Sequence, residues 1–582
     1  MARKHPTREL NSVKAATPTR QLTVLAQDPS ITMANGAALT TRVRVPAEPT
    51  TPGPQGHRVR VIDFDASRGH YYAPYVLPAG DDEFARVTDV EKLVADPRFH
   101  AQNVYAIAMS TLWQFEAALG RHVPWAFFAS KGHQLNIAPH AFADANAFYS
   151  REDEGLFLGY IPKRHGTVFT CLSFDVVTHE TTHALLDGMR NFYMRPSSPD
   201  QAAFHEGFAD VVAILSVLHN VGVVERLLMR GTRDSNRGLI SAAEAADAKL
   251  RESVLFGLAE ELGPELGVPR GHALRHSVRL EPSPTYMDDL RYQEPHRRGE
   301  ILVAAMMRAF LEVWGRRLDP LGRERGIEMN LRLVAEEAAA AAEQLLRMAI
   351  RALDYCPPVD LSFADYLSAL ATADHEVVPD DGRYKYRRAI IEWFGRFGIR
   401  PAVNGDVVGS ALGVWDPPPV MRYDGTHFET LKRDPEAVFQ FIWRNQQALE
   451  IDTQAFTRVY FVQPCIRMGL DRFVVQETVA EYVQTIDLAA RDLGKYGIHK
   501  ARNLDRSRKV RLYGGGTLIF DEFGRLKFHI GSGVKSRKQA ARLQNLAERG
   551  YFLGQDEREQ RPFAALHRNR SYTMLNRRRE AW

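Results

Sequence analysis

Apolar residues recur along this chain in two periods, and the switches between them mark out the expected elements. Val59-Arg60-Val61-Ile62-Asp63-Phe64 alternates and reads as a strand. From Asn103 to Leu119 the apolar positions fall at Val104, Ile107, Ala108, Leu112, Phe115 and Leu119, the spacing of one buried helix face. Ala145–Ser150 and Gly155–Tyr160, parted by a turn, read as a hairpin or as an edge strand with its partner. Phe174–Asp187 has no Gly or Pro and reads as a helix. Met189–Asp200 links it to another, from near Ala202 through Ile214.

The stretch over about 235–263 is helical with one polar face and reads as an insertion. Further helices are predicted from Ile301, over about 327–354, over about 362–374 and over about 383–397, so this later part is almost all α. Pro and Gly then accumulate over 400–420, which marks a domain boundary. Past it, 511–530 reads as a hairpin with its turn at Asp521 to Gly524. Residues 1–57 are rich in Thr, Pro, Ala and Gly and are expected to form a flexible or loosely docked leader. The organisation expected is therefore a leader over 1–57, an α+β domain over 58–400 and a mixed α/β accessory domain over 415–582.

Length and composition agree with several domains: 582 residues exceed what one core fills, and 45% hydrophobic with 25% charged is ordinary for a globular protein. No run of eighteen apolar residues occurs, so no membrane span is expected. The basic start, Met1 to Pro6, is not followed by an apolar stretch of the secretory kind. The expected location is the cytoplasm, or outside the cell by a route that uses no conventional signal. Cys171, Cys356 and Cys465 are odd in number, far apart and without zinc-pair spacing, which fits a reducing compartment.

The net charge of +4 hides an asymmetry, since residues 501–582 carry nineteen Lys and Arg against eight Asp and Glu. A solvated basic surface is the simplest reading of that end. The sharper readings are an acidic partner, nucleic acid or a membrane surface; nucleic acid is not expected, because no aromatic-and-basic recognition motif is present, and a protein partner for the C-terminal domain stays open. Gly514-Gly515-Gly516 lacks the Lys-Ser/Thr of a phosphate loop and is read as structural.

The chemistry concentrates at His179-Glu180-Thr181-Thr182-His183. Residues four apart on a helix share a face, so His179 and His183 can offer both imidazoles to one metal ion, beside Glu180 as a base for a metal-bound water. Glu206 and Asp210 share a face of the next helix. Glu206 would complete a His2Glu ligand set, and Asp210 could accept from the outer nitrogen of a liganding His. His205 competes as a ligand by residue type, although a helix turns it about 100° from Glu206.

With these motifs in this order, the region from about 100 to 310 resembles the thermolysin-like family of gluzincin zinc metallopeptidases. Asp175-Val176-Val177-Thr178-His179-Glu180-Thr181-Thr182-His183-Ala184 is close to that family's zinc helix, and Glu206 with Asp210 matches its third-ligand helix. The resemblance implies a zincin fold with an N-terminal α/β lobe and a helical lobe, and one catalytic zinc ion on His179, His183 and Glu206. It also implies peptide binding along Asn146 and Ala147, a substrate-gripping Arg275 and an oxyanion-stabilising His296. In the expected mechanism Tyr193 joins His296 as a catalytic group that stabilises the oxyanion. The chain departs from the family at three places. The gap between His183 and Glu206 is longer, and His205 stands where the family has Asn. The helix around Val217 stays apolar where the family has calcium carboxylates, so structural calcium is not expected.

The function expected is zinc-dependent endopeptidase activity on peptides or proteins. The alternative is a catalytically degenerate zinc protein serving as a binding or scaffold module. A zinc aminopeptidase is disfavoured because the Gly-x-Met-Glu-Asn motif that reads a free amine is missing.

Overall fold

Strands β1 (Thr19–Leu25) and β2 (Thr40–Pro46) pair antiparallel, and Leu22, Val24, Leu25 and Val45 are buried in the main core. The expected flexible leader over 1–57 is therefore corrected from residue 18 onward. Two short apolar alternations suffice to seat this hairpin, and the Leu25 amide donates to Asn103 Oδ1 at 3.0 Å. The structure is a computed structural model describing residues 18–29, 31, 36–127, 133–144, 146–163, 166–231, 238–241, 244–245, 247–261, 276–320, 328–402, 413–468, 474–499, 502 and 504–552. Its class is α+β.

Helix α1 (Pro97–Leu119) carries the predicted apolar face and starts six residues earlier than the periodicity alone suggests. Asp96 caps it by accepting from the Arg98 amide, and Pro97 occupies the first turn, where its missing N–H costs nothing. Gly120 ends it in the left-handed region at φ 69°.

A five-stranded sheet lies beside this helix. It is built from β3 (Val59–Val61), β4 (Leu135–Phe142), β5 (Ala147–Ser150), β6 (Gly155–Pro162) and β7 (Thr167–Phe169). The path runs β3-β4-β6-β5, parallel for the first two pairings and antiparallel for β5 on β6, with β7 also pairing β6. Strand β5 closes one side of the path, with Ala147 opposite Leu158 and Tyr149 opposite Leu156.

Helix α2 (Phe174–Met189) packs against the edge strand β5, α3 (Pro199–Leu218) packs on α2, and α4 (Pro295–Leu318) packs on α3. A helical layer continues through α5 (Leu331–Ala352), α6 (Phe363–Val377) and α7 (Tyr386–Arg396), as the sequence pattern predicts. Among the described residues only α3 is long and apolar enough to cross a membrane. Of its apolar window 89% is buried inside the protein, as for a core helix that meets neighbours all round.

The C-terminal part is a four-stranded antiparallel meander, β8 (Phe456–Met468), β9 (Val474–Ala489), β10 (Lys509–Phe520) and β11 (Leu526–Ser532). The last two form the predicted hairpin, with the Gly524 amide donating to the Asp521 carbonyl. This sheet shares the main core through Cys465, Val479, Ile519, Phe528 and Ile530. The Ile466 amide donates to the Gly120 carbonyl at 3.0 Å, and a Cβ on Gly120 would meet the Ile466 carbonyl at 2.0 Å.

Charged residues seal the same boundary. Asp354, fully buried, accepts from Arg121 at 2.6 Å and from Arg467 at 2.5 Å. Glu477 in turn takes Arg467, the Tyr355 hydroxyl at 2.7 Å and Lys527 at 2.7 Å. Arg190, immediately after α2, pairs with Glu481 of β9. Part of the basic C-terminal charge is paired within the chain: besides Lys527, residues Arg511, Lys535 and Lys538 sit on Asp487, Asp452 and Asp365.

Candidate metal centre

Every residue of α2 is buried, so its polar side chains all need partners within the protein. Thr181 and Thr182 donate to the carbonyls four residues back, at 2.7 and 2.8 Å. Gly188 lets the helix pass against the 124–125 backbone, where a Cβ would lie 1.8 Å from the Pro124 carbonyl oxygen. Asp175 in the first turn faces the positive end of the helix dipole.

On one face of this helix the His179 and His183 rings meet edge to face, with their Nε2 atoms 2.9 Å apart. Each ring is oriented from behind. His179 Nδ1 lies 2.8 Å from Asp210 Oδ1, and an ionised carboxylate only accepts, so the proton sits on Nδ1 and the Nε2 lone pair points inward. His183 Nδ1 lies 2.9 Å from His205 Nδ1. With His205 as acceptor, His183 takes the same tautomer.

Glu206 comes from α3, which begins at the Ser198 cap with Pro199 in its first turn. Its carboxylate oxygens lie 3.8 Å from His179 Nε2 and 4.0 Å from His183 Nε2. Tetrahedral zinc bonds of 2.0–2.1 Å place ligand atoms about 3.3 Å apart. The three separations straddle that value, so the donor set fits such an ion with small side-chain adjustments. His179, Glu180 and His183 form a buried group, with donor atoms all within 4.8 Å, that could hold a metal ion.

Glu206 and His296 are brought together by a close helix crossing. A Cβ on Gly207 would stand 2.8 Å from the Gly299 carbonyl oxygen, and a Cβ on Gly299 would stand 3.0 Å from that of Ala203. Small residues here let α3 and α4 approach backbone to backbone. His296, in the first turn of α4, then places Nδ1 3.1 Å from Glu206 Oε2.

The edge strand reaches the same place from the sheet. The Tyr149 amide donates to Glu180 Oε2 at 3.1 Å. Backbone groups alternate along a strand, so the Ala147 amide points to the same side. It donates to Asn146 Oδ1 at 3.0 Å. Asp187 of α2 clamps the strand by accepting from the Tyr149 hydroxyl at 2.8 Å and from Arg151 Nε at 2.6 Å. Burial pushes the Tyr149 phenol well above its ordinary pKa, so it acts as a donor throughout the working range.

The structure thus gathers His179, His183, Glu206, Asp210, Glu180 and His296 around one centre, while Ala147 lies on the edge strand that reaches it through Tyr149 and Asn146 immediately precedes that strand. Arg275 lies outside the described residues. Tyr193 is not part of the group and is corrected to a packing residue. It is buried, its hydroxyl donates to the Pro357 carbonyl at 2.7 Å, and its ring packs edge-on against Phe204. The sequence reading missed the role of His205. The 100° offset from Glu206, which argued against it as a ligand, is the offset that turns its ring toward His183.

Two results are expected from these contacts. Asp210→Asn should weaken metal affinity about 10–100-fold in a chelator-competition titration, because the His179 tautomer loses its anionic anchor. Tyr193→Phe should leave turnover per folded molecule unchanged. It should lower unfolding stability by about 1–3 kcal/mol, because the buried Pro357 carbonyl loses its donor.

Neither a family model nor a curated protein matches the sequence, so the functional reading stands on this geometry and on the motifs themselves.

Proposed function

We propose that this chain is a zinc-dependent endopeptidase with a thermolysin-like catalytic domain, and that the centre on α2 and α3 hydrolyses peptide bonds. The observation carrying this reading is the position of Glu180. It lies beside the two metal-facing imidazoles and is hydrogen-bonded to the edge strand along which a peptide would lie. A zinc ion held by His179, His183 and Glu206 would supply Lewis-acid polarisation of the scissile carbonyl and a more acidic water.

The chain's own groups account for the remaining steps. A peptide adds to the open side of β5 through backbone hydrogen bonds, with Ala147 as the pairing residue and the Asn146 side chain beside it. Glu180 removes a proton from the attacking water and returns it to the leaving amine. The His296 ring, held by Glu206 through Nδ1, acts as an imidazolium, whose Nε2–H would donate to the oxygen on which negative charge develops.

A purely structural metal site has no need of a carboxylate base against a substrate-type edge, which separates this reading from that of a degenerate binding module. Digestion of matched N-acetylated and free peptide libraries tests the reading. Internal cleavage of both sets is expected. Cleavage that requires a free amine would indicate an aminopeptidase, and cleavage of neither set would favour the binding module.

A further inference from the structure

A second cluster of metal-binding side chains lies apart from the catalytic ligands. His100 on α1, His140 on β4 and Cys171 in the turn before α2 are each no more than 1% exposed. Their donor atoms all lie within 4.8 Å of one another. The hydrogen bonds on the outer sides of the rings fix which nitrogens carry protons. His100 Nε2 is 2.9 Å from the Val94 carbonyl, which only accepts, so the hydrogen of a neutral His100 sits there. His140 Nδ1 is 2.8 Å from a carboxylate oxygen of Asp63, so a hydrogen sits there too.

The two remaining nitrogens, His100 Nδ1 and His140 Nε2, face each other at 2.8 Å. Two lone pairs at that distance repel, and a positive species between them removes the conflict. A shared proton would do so by making His140 an imidazolium paired with Asp63. A proton, however, gives no reason for a third soft donor, and Cys171 supplies one. The carboxylate behind His140 and the carbonyl behind His100 are the partners that liganding imidazoles ordinarily have.

We propose that His100, His140 and Cys171 form a second metal site, for a divalent d-block cation of the zinc class. Imidazole and thiolate suit such an ion, with bonds of about 2.0–2.1 Å to nitrogen and about 2.3 Å to sulfur. Seating it requires the two nitrogens to part by about 0.5 Å, much as the pair at 2.9 Å in the catalytic centre must. Cys171 binds as thiolate: its S–H bond breaks, the sulfur lone pair forms the metal bond, and one proton leaves to solvent. The ion would tie β4 and α1 to the turn that launches α2. The Asn103 side chain already holds that turn by donating to the Cys171 carbonyl at 2.8 Å.

Cobalt(II) distinguishes the two sites, because the catalytic set has only nitrogen and oxygen donors. Full-length protein loaded with cobalt should take up two equivalents and show a thiolate-to-cobalt charge-transfer absorption in the near ultraviolet. His183→Ala should lose one equivalent and keep the absorption, and Cys171→Ser should lose one equivalent together with it. His100→Gln gives a second route to the same loss if Cys171→Ser does not fold. Absence of the absorption in cobalt-loaded wild type, whatever the stoichiometry, would overturn the proposal. So would its persistence in Cys171→Ser.

Discussion

Replacing Glu180 with Gln should lower kcat/KM for peptide cleavage by about 10²–10⁴-fold while leaving metal content unchanged. The amide keeps the size and shape of the carboxylate, and its oxygen can still accept from the Tyr149 amide, so the contact between α2 and the edge strand survives. What it cannot do is take a proton at neutral pH. His179, His183 and Glu206 are untouched, so metal uptake is the control that separates lost chemistry from lost structure. Unchanged turnover in this variant would remove Glu180 from the mechanism. Lost turnover together with lost metal would show that Glu180 acts as a ligand.

The second large effect concerns the join between the helical part and the C-terminal sheet. Asp354→Ala should cost about 3–5 kcal/mol of unfolding stability, because it leaves Arg121 and Arg467 facing each other without their shared buried anion. Burial alone would push the Asp354 carboxyl up. The two guanidiniums outweigh it and hold the group below its ordinary value of 3.8. A carboxylate depressed in this way contributes fully above that value, and its contribution is lost as pH falls through the lower native pKa. Denaturant unfolding of wild type should therefore show an acid-side loss of stability that Asp354→Ala lacks. Asp487→Ala, which breaks the exposed pair with Arg511, should change stability by less than about 1 kcal/mol. Equal effects of the two substitutions would refute the structural role given to Asp354.

The candidate metal centre was legible in the sequence where its geometry is local. His179 and His183 are one helical turn apart, as are Glu206 and Asp210, and helix periodicity alone puts each pair on one face. The β5–β6 hairpin was legible for the same reason. Contacts that close over long distances were not. His100, His140 and Cys171 have no metal-ligand spacing along the chain, and only the packing of α1 on the sheet brings them together. Cys171 therefore read only as one of three distant cysteines without zinc-pair spacing. Tyr193 was assigned to the oxyanion as part of the expected mechanism, but its partner, Pro357, lies far along the chain. The β1–β2 hairpin escaped notice because Thr- and Pro-rich composition masked the few apolar positions it buries. Likewise the boundary over 400–420 gave no sign that the sheet beyond it shares the core of the helices before it.

The central claim is that a metal ion on His179, His183 and Glu206 makes this chain a peptidase. Its most direct test is turnover of an N-acetylated peptide by protein stripped with a chelator and then titrated with zinc. Activity should vanish on stripping and return in proportion to occupancy of the catalytic site. Internal cleavage that persists in fully metal-free protein, or zinc-loaded protein that cleaves no peptide, would contradict the account.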